Sequence, residues 1–163
     1  MSLSTFALRL AFDLAAGILI GVERQMRQRS AGLATNALVS VGACIFILIS
    51  EATLQGGETG ADPLRVLSQV VTGVGFLGAG AIIKDGFSIH GLNSAATIWC
   101  SAAVGSLCGF GYWQMALVAA AAILFINWAL KSVEIRMERK DSERKKALEE
   151  CHPMNTDKQN GKG

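Results

Sequence analysis

Two histidines, His90 and His152, are all that the 163-residue chain contains. Neither has a carboxylate and a nucleophile nearby, and no HExxH or Ser/His/Asp arrangement occurs, so enzymatic chemistry is not expected. His90 reads as a solvated loop residue. Cysteine is also sparse. Cys44, Cys100 and Cys108 lie in apolar runs, Cys151 lies in the polar tail, and none has CxxC or other metal spacing. They read as small buried hydrophobes, so no metal and no cofactor are expected. The scarcest feature is basic charge on one side of the chain, and that shortage organises everything else.

Hydrophobic residues make up 51% of the chain, and they gather in five runs: roughly Leu3–Val22, Ala34–Ser50, Val66–Ile83, Ala95–Gly109 and Trp113–Leu130. A membrane-spanning helix needs about 17–25 residues, and only the fourth run falls short. With the N-terminus outside, thirteen of the fifteen Lys and Arg lie inside, Arg65 alone lies outside, and Arg9 sits within the first run. Basic flanks resist translocation, so the expected fold is all-α: a polytopic transmembrane bundle of five spans, N-terminus outside and C-terminus inside. The first run lacks a basic leader and is followed by four more, so it reads as a retained helix. The outer loops hold no cysteine, which excludes a disulfide between them. Two regions follow: a transmembrane domain over residues 1–132 and a charged cytoplasmic tail over 133–163, partly helical and then disordered. The basic residues of that tail, interleaved with acids, suit topology anchoring, and no nucleic-acid partner is expected.

Polar residues inside the spans are the functional candidates. Arg9 and Asp13 stand one helical turn apart, so they can pair. Asp13, near mid-depth, is either that ion pair or a functional carboxylate, because intramembrane charge is costly. Gly17 and Gly21 have GxxxG spacing, repeated by Gly105 and Gly109, which lets backbones approach closely. The third run reads Gln69-Val-Val-Thr-Gly73-Val-Gly75-Phe-Leu-Gly78-Ala-Gly80. Its GxGxxG string lacks the preceding strand of a dinucleotide site, so it reads as a glycine-rich helix, partly distorted and shielded from lipid. Gln69 and Thr72 would make interhelical hydrogen bonds or line a polar path. Beyond it, Asp85-Gly86 signals a turn and Asn93 suits the N-cap of the fourth helix. Glu51, Glu58 and Asp62 in the outer loop are spread among glycines and read as solvated rather than as a magnesium site. Tyr112 and Trp113 mark the outer interface, and Asn127 and Trp128 the inner end of the fifth run.

Three separated motifs carry a family resemblance. They are Gly21-Val-Glu-Arg-Gln-Met-Arg-Gln-Arg-Ser-Ala-Gly-Leu-Ala-Thr-Asn, then Thr72-Gly-Val-Gly-Phe-Leu-Gly-Ala-Gly-Ala-Ile-Ile-Lys, then Gly91-Leu-Asn-Ser-Ala-Ala-Thr-Ile-Trp-Cys-Ser. Over about residues 5–130 the chain resembles the MgtC/SapB family of bacterial inner-membrane proteins, the MgtC-like branch most closely. That resemblance implies a multi-pass helix bundle without enzymatic chemistry. It also implies a regulatory role in adaptation to low magnesium and intracellular survival (virulence), with the rotary ATP synthase as membrane partner. Glu23, Arg24, Thr35, Asn36, Gly78, Gly80, Asn93 and Trp99 fall on family motif positions. Asp13 does not. Family members often carry an ACT-like soluble domain, for which the 33 residues after the last run are too few. The glycine faces motivate binding to a membrane partner or a homo-oligomer. Asp13, Gln69, Asn93 and the glycine-rich third run motivate the alternative, a magnesium or other cation transporter. One carboxylate is thin provision for that, and no second half mirrors the first.

Overall fold

The computed structural model describes residues 1–55, 62–85 and 88–129. Among them are five helices: α1 (Leu3–Met26), α2 (Leu33–Gln55), α3 (Pro63–Gly80), α4 (Leu92–Gly109) and α5 (Trp113–Ala129). Strands β1 (Ile83–Asp85) and β2 (Ser88–His90) form a hairpin between α3 and α4. Two helices, α1 and α2, are long and apolar enough to cross a membrane. At 24 residues α1 extends about 36 Å, beyond the roughly 30 Å of a hydrocarbon core. The chain divides into two compact units, Met1–Leu124 and Phe125–Gly163. In the second, Phe125 and Trp128 lie with ring centroids 6.3 Å apart. The charged tail, Glu58, Gly86, Cys151 and His152 fall outside the described residues.

Local chemistry sets the helix ends. Ser2 caps α1 by accepting from the Thr5 N–H at 3.2 Å. Asp62 caps α3 by accepting from the Leu64 N–H at 3.0 Å, ahead of Pro63 in the first turn, where a missing N–H costs nothing. Asp62 therefore has a structural duty that its reading as a solvated loop acid did not include. Gly91 precedes α4 at φ 88°, and a Cβ there would stand 1.9 Å from the Ala81 carbonyl oxygen. Only glycine fits that turn.

Asn93 is consequently not a cap. It lies inside the first turn of α4, because the helix starts at Leu92. The expected distortion of the glycine-rich third helix is not found, since α3 is continuous from Pro63 to Gly80. The segments flanking the Asp85-Gly86 turn signal pair as antiparallel strands, in the register Ile83↔His90, Lys84↔Ile89 and Asp85↔Ser88.

In the first unit α2 is the central helix, with α1 and α4 packed along it. One apolar cluster joins Ala16 and Ile20 of α1, Cys44 and Leu48 of α2, Val104 and Cys108 of α4, and Ala116 and Ala120 of α5. A second joins Ala43 of α2, Val74 of α3, and Ile98 and Ala102 of α4. The outer surface is apolar as well: Leu8 is 73% exposed, Phe76 81% and Val118 71%. Meanwhile Asp13, Arg24 and Asn36 are buried. Polarity thus runs inside-out relative to a protein that faces water.

Candidate functional site

Three tiers of polar side chains cross the interior where α1, α2 and α4 meet. At the end formed by the α1–α2 turn, Arg24 is 1% exposed and donates from Nη1 to Asn93 Oδ1 and from Nη2 to Ser94 Oγ, each at 3.1 Å. Ser30 Oγ donates to Ser94 Oγ at 2.9 Å, and Thr97 Oγ1 donates to the Asn93 carbonyl at 2.8 Å. One turn along α2, Asn36 is fully buried. Its Nδ2 donates to the carbonyls of Ala31 (3.1 Å) and Gly32 (2.8 Å), and its Oδ1 accepts from Ser101 Oγ at 2.9 Å. These bonds satisfy groups that would be costly to bury unpaired, and they fix α4 against α1 and α2.

The middle tier is Asp13, also fully buried. Its Oδ1 accepts from Ser40 Oγ at 2.6 Å, and its Oδ2 has no hydrogen-bond partner. At the far end Arg9 Nη1 donates to Glu51 Oε2 at 2.6 Å and to the Gly109 carbonyl at 2.7 Å. The Arg9–Asp13 pair allowed by helical spacing is therefore not made. Arg9 reaches across to α2 and α4 instead, and Glu51, expected in a solvated loop, is its ion-pair partner at the end of α2.

The close approach of these helices depends on glycine. A Cβ on Gly105 would stand 2.0 Å from the Ser40 carbonyl oxygen, and one on Gly109 2.7 Å from Ile47 Cβ. On α1, Gly21 would meet Leu33 Cα at 2.7 Å and Gly17 would meet Ala37 Cα at 3.1 Å. Both GxxxG faces are thus filled by α2 of the same chain, not left open for a partner. The α3 glycines differ: among the described residues a Cβ on Gly73, Gly75 or Gly80 would meet nothing within 4 Å, and one on Gly78 would stand 3.7 Å from Ala95. On that helix Thr72 Oγ1 donates to its own Ser68 carbonyl at 2.9 Å, and Gln69 lines an apolar groove between α2 and α3; among the described residues neither makes an interhelical hydrogen bond.

Of the motif positions, Arg24 and Asn93 are bonded to each other, and Asn36 is bonded to Ser101 instead. Glu23 forms an ion pair with Arg27 one turn away. Thr35 is exposed, and with Ser30, Gly80 and Ile98 it lines a cleft of about 580 Å³ next to the Arg24 tier. Trp99 is half-exposed and lines an apolar groove against α3. Ser40, Ser94 and Ser101 escaped the sequence reading, and Glu51 was read as a solvated loop acid rather than as an ion-pair partner. A usable signal exists on α4, where Thr97, Ser101, Gly105 and Gly109 recur every fourth residue as one stripe. Chemically, these tiers position helices and hold buried polarity. Among the described residues, no group of three or more His, Cys, Asp or Glu gathers as a metal site would require.

An all-α protein with polarity concentrated inside and apolar side chains outside belongs to the class of membrane helix bundles. More particularly, the MgtC family model matches residues 10–136, and the chain belongs to that family. It is 46% identical to Protein MgtC of Salmonella typhimurium over 139 residues, covering 85% of this chain and 58% of that protein. Against Protein MgtC of Brucella abortus it is 54% identical over 115 residues, covering 71% and 47%. An uncharacterized protein of Synechocystis is 46% identical over 124 residues, covering 76% and 51%. The chain thus spans about half the length of these relatives. No solved structure matches it.

Proposed function

We propose that the chain is a non-enzymatic, multi-pass regulator of the bacterial inner membrane, with five spans, the N-terminus outside and the Arg24 tier on the cytoplasmic side. Its role is adaptation to low magnesium and survival inside host cells, exerted on a membrane partner such as the rotary ATP synthase. The observation that carries this reading is the inverted polarity: Arg24, Asn36 and Asp13 buried while Leu8, Phe76 and Val118 face outward. Lipid is the solvent that rewards such an arrangement. Family membership and the relatives named Protein MgtC support the regulatory role. The partner meets a surface other than the Gly17/Gly21 and Gly105/Gly109 faces, which α2 occupies.

The test is growth of a deletion strain in low magnesium, complemented with the wild type or with Asn93→Ala, Arg24→Ala or Asp13→Ala. Failure of wild-type complementation rejects the low-magnesium role. Copurification of ATP synthase subunits from native membranes tests the partner, and recovery of the protein alone rejects it. A second reading, cation transport, is favoured by Asp13, whose buried Oδ2 has no partner. Liposomes containing the pure protein decide it, and flux no greater than that of empty liposomes rejects it.

A further inference from the structure

Near the Arg9 end of the first unit lies a cavity of about 310 Å³ lined by Thr5, Leu8, Arg9, Phe12, Cys108, Gly111 and Trp113. Its walls are almost wholly apolar, and one cation faces it. Arg9 makes both of its hydrogen bonds through Nη1, so Nε and Nη2 are left without a protein acceptor among the described residues. The guanidinium lies over Gly111, where a Cβ would stand 2.8 Å from Nη2. Gly111 has φ 81°, a backbone conformation that favours glycine. Beside it Phe12 and Trp113 meet edge to face, with centroids 6.4 Å apart. Tryptophan, with its amphipathic ring, marks the level of lipid headgroups.

From this geometry we propose that the cavity is a specific site for an anionic phospholipid. Its phosphate sits on Nε and Nη2 of Arg9, and the start of an acyl chain lies along Leu8, Phe12 and Trp113. The inference rests on the membrane reading above. A guanidinium edge presents two parallel N–H donors, matched to two phosphate oxygens. The apolar wall takes the methylenes that water would otherwise have to cover. Glu51 shares the same guanidinium and opposes a second anion, so its charge limits the affinity of the site.

Trp113 reports occupancy directly. In the full chain carrying Trp99→Phe and Trp128→Phe, quenching of the remaining tryptophan is measured in vesicles of brominated phosphatidylglycerol or brominated phosphatidylcholine. We expect about two- to fivefold preferential binding of phosphatidylglycerol, the scale of one partly exposed charge pair. Arg9→Gln should abolish the preference. Because that change also releases Glu51 and Gly109, a second variant, Glu51→Gln, keeps the proposal testable: it should raise the preference. Added inorganic phosphate should leave quenching by lipid unchanged, and competition by it would point to free phosphate and overturn the lipid assignment. Equal quenching by both lipids in the parent and in Glu51→Gln would overturn the site while leaving membrane insertion, read by resistance to carbonate extraction, intact.

Discussion

Asn36 and Asp13 show how single side chains decide this core. Asn36 uses two donors and one acceptor, all buried. Asn36→Ala leaves the Ala31 carbonyl and the Ser101 hydroxyl short of partners, a loss of about 1–3 kcal/mol. Asn36→Asp should be worse, because a carboxylate oxygen would then face the carbonyls of Ala31 and Gly32. Thermal unfolding in detergent, followed by circular dichroism, should rank wild type above Ala and Ala above Asp; Asp equal to wild type would show that the amide donors contribute nothing. Asp13 behaves oppositely. Its Oδ2 is buried without a partner, and Asp13→Asn keeps the oxygen that Ser40 bonds while removing the carboxylate. We expect Asp13→Asn to unfold at or above the wild-type temperature. A drop of several degrees would mean that the carboxylate has a stabilising partner.

At the scale of helices, α2 is the axis and glycines set its spacing. Gly105→Ala drives a methyl into the Ser40 carbonyl and should cost about 1–3 kcal/mol. Gly75→Ala meets open space and should be neutral or gain up to about 1 kcal/mol from helix propensity. The same unfolding assay separates them, and equal behaviour would remove the packing role of the stripe. Hydrophobic run length made the five helices legible in the sequence, to within a few residues at most ends. The GxxxG spacing flagged the tight contacts, but not that α2 fills both. Partner choice was the illegible part. A one-turn spacing pointed Arg9 at Asp13, whereas tertiary packing gave Arg9 to Glu51 and Asp13 to Ser40. Serine looks the same in a sequence whether it faces lipid or a buried carboxylate. Asn93 was misread because capping preference is local, while Gly91, with its positive φ, set the true start of α4. The motif residues Arg24, Asn36 and Asn93 were found in the sequence, but the bonds of Arg24 to Ser94 and of Asn36 to Ser101 were not.

At the scale of the whole molecule, two opposite surfaces must be satisfied: an interior with charge and amide groups, and an exterior of large aliphatic and aromatic side chains. Burying Arg24 is tolerable because Asn93 and Ser94 accept from it. Exposing Phe76 and Val118 is tolerable only where hydrocarbon covers them. The most direct measurement is photolabelling of the full chain in vesicles whose phospholipids carry a photoreactive group on the acyl chain, followed by peptide mapping. We expect label on the peptides bearing Leu8, Phe76 and Val118 and none on Ser40 or Ser101. No label on those three positions, from a protein that stays monodisperse in detergent-free buffer, would contradict a fold built for lipid.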